Sequence, residues 1–184
     1  MKKVFGLLWF FCALAGYAQI NTEQEAARHY NSGVEYYNTN RFDMAVADFT
    51  QAILLIPNNA NYYFWRGAAY FRSDEYDMAI VDLTQAISLN PNNANHYYWR
   101  GRAYAKRWWP YTFRDDFAWV NAHWNDVYEQ AIADFEAALR LDPSHTDARK
   151  ELADAKRELA DGPVTPPPGF DGDFSIGPGP LPPW

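Results

Sequence analysis

The chain has 184 residues, enough for one domain with its own core, and 48% of them are hydrophobic, which excludes a disordered bulk. Its formal net charge is −7, with no run of basic residues, which argues against nucleic-acid binding. Aromatic residues make up 18%, including eight Trp and thirteen Tyr, so flat amphipathic side chains are used heavily.

Residues 1–18 have the form of a secretory signal. Lys2 and Lys3 give a basic start, Val4 to Leu14 form an apolar run, and Gly16 and Ala18 stand at −3 and −1 of a cut before Gln19. The expectation is export to the periplasm or cell envelope, or secretion, with no stable membrane span after cleavage; an uncut anchor is the alternative. Cys12 does not mark a lipoprotein, because Trp9, Phe10 and Phe11 occupy the places where small residues are needed. Cleavage leaves 14 basic against 23 acidic residues, a net charge of −9, and removes the single cysteine. Stability must then come from packing.

The next stretch is repetitive. Outside the signal and the last 24 residues the only glycines are Gly33, Gly67 and Gly101, spaced by 34 and 34. Pro57 and Pro91 are also 34 apart, and each follows a repeat glycine by 24. A fixed period of this length marks a solenoid of stacked units. The units run about 26–59, 60–93 and 94–143. Tyr36, Tyr70 and Tyr104 follow the glycines by three, and Tyr63, Gly67 and Tyr70 lie at helical spacing. Tyr76, Ala79, Leu83, Ala86 and Ile87 form a second helical stripe, and a proline ends each second helix. Glycine inside a helix costs about 1 kcal/mol against alanine, so its recurrence implies close helix approach, with Ala45, Ala79 and Ala131 as the small facing residues.

In the third unit Ala131, Phe135, Ala138 and Pro143 arrive 18 residues late, which places an insertion at about 107–126. Pro110 ends the first helix there. Phe113, Phe117, Val120, Trp124, Val127, Ala131 and Phe135 form one apolar stripe, which predicts a second helix from about 113 to 141, ~43 Å long at 1.5 Å per residue. Two uses of the insertion stand side by side: a partner or homodimer surface built on Trp108, Trp109, Trp119 and Trp124, or a cover over the third unit. Residues 144–160 predict a capping helix with Ser144 as its cap and Ala148, Leu152, Ala155 and Leu159 on its inner side. From 161 to 184 proline and glycine dominate, which predicts a disordered or polyproline-like tail. Phe170, Phe174 and Trp184 in that tail are consistent with either a solvated segment or one that docks in a groove, its own protein's included.

The strings YYFWRGAAYF at 62–71, YDMAIVDLTQAISLNP at 76–91 and YEQAIADFEAALRLDP at 128–143 resemble the tetratricopeptide repeat family, over about 26–143. The resemblance implies an all-α fold: helix pairs stacked into a superhelix whose concave face is lined by the first helices. At the family's groove positions stand Ala27, Tyr30, Val34 and Tyr37; Asn61, Phe64, Ala68 and Phe71; and Asn95, Tyr98, Arg102 and Ala105, with Trp65 and Trp99 at the edge. Tyr30, Phe64 and Tyr98 suit either a groove or packing between units. Family members that grip a chaperone's terminal carboxylate use a clamp of Lys, Asn and Arg. The matching positions here hold Tyr30, Val34, Trp65, Asn95 and Trp99, so that activity is not implied.

No catalytic set emerges. His29, His96, His123 and His145 share no ligand spacing, and His123 with Asp126 is too small a set for a metal. No glycine-rich phosphate loop exists, so no cofactor is expected. Asp48, Asp82 and Asp134 recur at one position, which reads as a solvated face or a bond to a neighbouring helix. The sequence therefore points to a non-enzymatic scaffold that binds a protein or peptide through its aromatic groove and insertion. A glycan-binding module and a self-assembling envelope protein are the alternatives.

Overall fold

A computed structural model describes residues 2–107 and 117–162, with side chains over 19–107 and 123–162. Among the described residues there are seven helices and no strand: α1 (Lys2–Asn38), α2 (Phe42–Leu55), α3 (Ala60–Arg72), α4 (Tyr76–Leu89), α5 (Ala94–Lys106), α6 (Phe117–Leu141) and α7 (Thr146–Asp161). Each helix packs on the next, and α1 also meets α3, α3 meets α5 and α5 meets α7. The odd-numbered helices thus form one continuous wall, and the architecture is the all-α repeat superhelix. Residues 2–18 continue into the first repeat helix without a break. Among residues with described side chains, no helix is long and apolar enough to cross a membrane.

The repeat glycines lie where two helices approach most closely, but their partners differ from the expected alanines. A Cβ on Gly33 would stand 2.7 Å from the Phe49 ring, and one on Gly101 2.9 Å from the Phe135 ring. On Gly67 it would stand 3.0 Å from Leu83 Cγ. The large residue four positions beyond each small one fills the glycine's space. Ala79 and Ala131 contribute through their carbonyl oxygens, 3.3 and 3.1 Å from the Cβ positions of Gly67 and Gly101. Phe49, Leu83 and Phe135 are completely buried in consequence.

Within the first two units the turn between helices is a left-handed cap. Asn40 and Asp74, 34 apart, take φ of 58° and 63°. Asn and Asp tolerate this region better than other non-glycine residues. Arg41 N–H donates to the Tyr36 carbonyl and Glu75 N–H to the Tyr70 carbonyl, both at 2.9 Å. The Arg41 guanidinium also lies 4.5 Å from the Tyr36 ring. The tyrosines three residues after Gly33 and Gly67 are therefore the residues on which each turn closes. Between units, Asn59 and Asn93 cap α3 and α5, each accepting a backbone N–H two residues on at 3.0 Å.

Helix α6 follows the predicted stripe: Trp124, Val127, Ala131 and Phe135 are all buried. Its 25 described residues make it ~38 Å long at 1.5 Å per residue. Positions 113–116 lie outside the described residues. The cap of α7 is His145, not Ser144. Nδ1 of His145 accepts the Ala148 N–H at 3.2 Å. Ser144 is instead drawn back to Asp142, whose Oδ1 accepts its backbone N–H at 2.9 Å and its hydroxyl at 2.6 Å.

Candidate functional site: an aromatic row on the first-helix wall

The wall of odd-numbered helices carries a connected row of rings, because aromatic residues recur at the positions that face across adjacent helices. Tyr37 of α1 meets Trp65 of α3 edge-on at 5.2 Å. Trp65 meets Phe64 at 5.7 Å, and Phe64 meets Trp99 of α5 at 6.3 Å. Trp99 closes on Phe71 at 5.3 Å with the ring planes perpendicular. Edge-to-face contacts of this kind fix ring orientation and add to the gain from area burial. Tyr37, Phe64, Trp65 and Trp99 keep part of their surface in solvent.

Two cations bracket the row. The Arg102 guanidinium lies 4.7 Å from the Phe71 ring and 4.8 Å from Trp99. Its nearest carboxylate is Glu151 of α7, at 3.8 Å across a partly exposed surface. At the other end the Arg72 guanidinium lies 5.2 Å from Phe42 and 6.0 Å from Tyr37. Such placements hold a cation against aromatic faces at modest gain.

The fifth-position rings pack at the seams between units. Tyr30 packs on Tyr62 at 5.4 Å, Phe64 on His96 at 5.3 Å, and Tyr98 on His145 at 4.6 Å. Tyr98 is 9% exposed and meets Trp99 of the row edge-on at 6.2 Å, while Phe64 is itself a member of the row. Burial pushes the Tyr30 and Tyr98 hydroxyls above their ordinary pKa. Asn61 and Asn95 are exposed. Trp124, expected on a partner surface, is 3% exposed and packs on Tyr128 at 4.7 Å inside the core shared with α5 and α7. An apolar stripe on an extended helix buries whatever its neighbours can reach. The side chains of Trp108, Trp109 and Trp119 lie outside the described residues.

Within each unit the repeated aspartates pair across to the first helix. Arg66 Nε and Nη2 donate to Asp82 at 2.7 and 2.8 Å, and Nη1 donates to Thr50 of the preceding unit at 3.0 Å. Arg100 repeats this with Asp134, at 2.8 Å twice, and with Thr84 at 3.1 Å. In the first unit Asp48 accepts from the Ser32 hydroxyl and pairs with His29 at 2.8 Å. The aspartates thus hold helices together, and the 34-residue recurrence of Arg66 and Arg100 was the available signal.

Where α5 ends beside α7, an open cleft of about 350 Å³ is lined by Ala105, Lys106, Tyr128, Glu151, Asp154 and Glu158, among others. Among the described residues no group of three or more His, Cys, Asp or Glu is placed to hold a metal. What this wall offers is a strip of ring faces and edges with cationic ends, suited to an extended apolar segment.

The family model described as TPR repeat matches residues 33–74 and 69–107, and the one described as Tetratricopeptide repeat matches 125–159. No curated protein matches the chain. Among solved structures, the first TPR of Spaghetti (RPAP3), bound to the HSP90 peptide SRMEEVD, is 25% identical with a TM-score of 0.64, covering 75% of this chain and 95% of that one. The Arabidopsis OM64 TPR domain is 25% identical with a TM-score of 0.63, covering 74% and 98%. The second TPR of Spaghetti, bound to the same peptide, is 26% identical with a TM-score of 0.54, covering 68% and 99%.

Proposed function

Because this chain belongs to the tetratricopeptide repeat family, we propose that it is an exported, non-catalytic scaffold that binds an extended peptide segment of a partner protein along the row Tyr37–Trp65–Phe64–Trp99–Phe71. The observation that carries this reading is the connected row itself, in which Tyr37, Phe64, Trp65 and Trp99 retain solvent-facing surface on the odd-helix wall while Phe71 anchors the end from a buried position. Peptide binding by the first TPR of Spaghetti supports the general mode. Its ligand SRMEEVD is acidic, whereas the clamp positions here hold Tyr30, Val34, Trp65, Asn95 and Trp99. The ligand of this chain is therefore one that rewards ring contact over carboxylate capture. Partly buried Trp and Tyr in such a row are the usual energetic centres of an interface.

Export rests on the basic start, the apolar run and the small residues before Gln19. Mass spectrometry of the protein recovered from its own cells tests this: a mature N-terminus at Gln19 is expected, and retention of residues 1–18 overturns it. Binding is tested by affinity capture from cell envelopes with the full chain and with Trp65→Ala and Trp99→Ala, each checked for native helicity. Loss of the captured protein in both folded variants is expected. Undiminished capture by both overturns the site.

A further inference from the structure

We infer that, when no partner is bound, the aromatic row is occupied in cis by the chain's own residues 163–184. This inference rests on the proposed binding role of the row and names its resident occupant. The 22 residues after Gly162 contain eight prolines, two phenylalanines and one tryptophan. A proline-rich segment prefers the extended polyproline helix, which loses little entropy on docking and fits grooves ridged by aromatic side chains. On the row, Trp65 and Trp99 flank Phe64 at 5.7 and 6.3 Å.

Charge agrees. The only charged side chains among residues 163–184 are Asp171 and Asp173, both acidic, while the row is bracketed by Arg72 and Arg102. Residues 163–169 carry no charge and pass the acidic side chains Glu151, Asp154 and Glu158 at the end of the wall without repulsion. Gly162 takes φ 74° and ψ 175°, a conformation open essentially to glycine alone, so the chain leaves the axis of α7 at that residue.

Reach agrees as well. Arg102 lies beside Glu151, eleven residues before Gly162, or ~17 Å back along α7 at 1.5 Å per residue. Phe170 and Phe174 follow Gly162 by eight and twelve residues, ~25 and ~37 Å of extended chain. Both contour lengths exceed the ~17 Å back to Glu151, beside which Arg102 lies against Trp99. A short tether raises the local concentration to about the millimolar range, so even a weak contact is substantially occupied. The tail then acts as a competitor that a partner segment displaces.

The test uses the full chain, its Phe170→Ala/Phe174→Ala variant, and a fluorescein-labelled synthetic peptide of residues 163–184 as probe. The double variant is expected to bind the probe at least ~10-fold more tightly than the unmodified chain, and adding Trp99→Ala is expected to abolish that binding. Equal affinity in the two chains, indifference to Trp99→Ala, or no binding of the probe at millimolar concentration overturns the inference. So does an occupancy that rises with protein concentration alongside a dimer in sedimentation, which assigns the tail to a second copy. If the double variant and the unmodified chain capture the envelope partner equally while Trp65→Ala and Trp99→Ala lose it, this inference fails and the binding role stands. If the probe behaves as expected and no partner is captured, the binding role fails and the cis contact stands.

Discussion

Arg100 and Asp134 stand 34 residues apart in the chain and meet through two parallel hydrogen bonds of 2.8 Å. Arg66 and Asp82 make the same fork across only 16 residues. The third unit therefore closes on its own second helix with the geometry of the second, although 18 more residues separate its partners. The fork is the same across the longer separation because both ends sit on helices, and the third guanidinium nitrogen ties each pair to a threonine of the preceding unit. The Asp134 side chain is 7% exposed and Arg100 19%. Removing one partner strands a poorly solvated charge, so Asp134→Ala should cost about 3–5 kcal/mol. Arg100→Met/Asp134→Leu should cost clearly less than that single change. Urea unfolding followed by circular dichroism gives both values.

The glycines predict a reversal of ordinary helix propensity. Alanine gains about 1 kcal/mol over glycine in a helix interior. At position 67 its Cβ meets Leu83 Cγ, Asp82 Cβ and the Ala79 carbonyl within 3.3 Å. Gly67→Ala should be destabilising by about 1–3 kcal/mol from overpacking. At position 33 all three close atoms belong to the Phe49 ring, so Gly33→Ala/Phe49→Leu should lose less than the sum of its two single changes. Thermal melts of the four chains check the coupling.

The left-handed turn predicts an opposite pattern. Asn40→Ala should lose about 1–2 kcal/mol, because an alanine at φ 58° carries the left-handed penalty. Asn40→Gly should lose less, retaining only the cost of its hydrogen bond from Arg72. Chemical denaturation of the pair settles the order.

His96 sets a pH dependence. Its ring is 1% exposed, and burial lowers its pKa below the ordinary value of 6.5. The unfolded chain then binds a proton at higher pH than the folded chain does. Stability is fully present above about pH 6.5 and falls as pH drops below it toward the folded value. The urea midpoint should decline on this limb, and His96→Gln should flatten it. An unchanged slope in that variant would assign the decline to other groups.

Trp99 is the ring on which the row converges, touching Phe64, Phe71 and the Arg102 guanidinium. Trp99→Ala should weaken binding of the captured partner by ~30-fold, a loss of about 2 kcal/mol or more. Trp99→Phe should retain part of the affinity, as read by titration calorimetry.

The capping choice at α7 shows why part of the structure was not legible beforehand. Ser144 has the right chemistry for a cap, and so has His145. Asp142 decides between them by capturing Ser144 locally. Trp124 is a similar case. Its place on an apolar stripe was readable, but whether that face met solvent or the core depended on where α5 and α7 lie. The ring row was readable in its members and not in its connections: Trp65 and Trp99 stood out at the edge, while the seam role of Tyr30 and Tyr98 did not.

By itself the sequence determined the helical class, the 34-residue unit and the close approach at each glycine. These follow from spacing along one chain, because periodicity, glycine and proline act locally on the backbone. Tertiary structure alone decided which residue fills each glycine's space, which carboxylate each arginine grips, and which aromatics remain at the surface. Those outcomes depend on distances between helices that are not neighbours in sequence, and burial is settled only when the units stack.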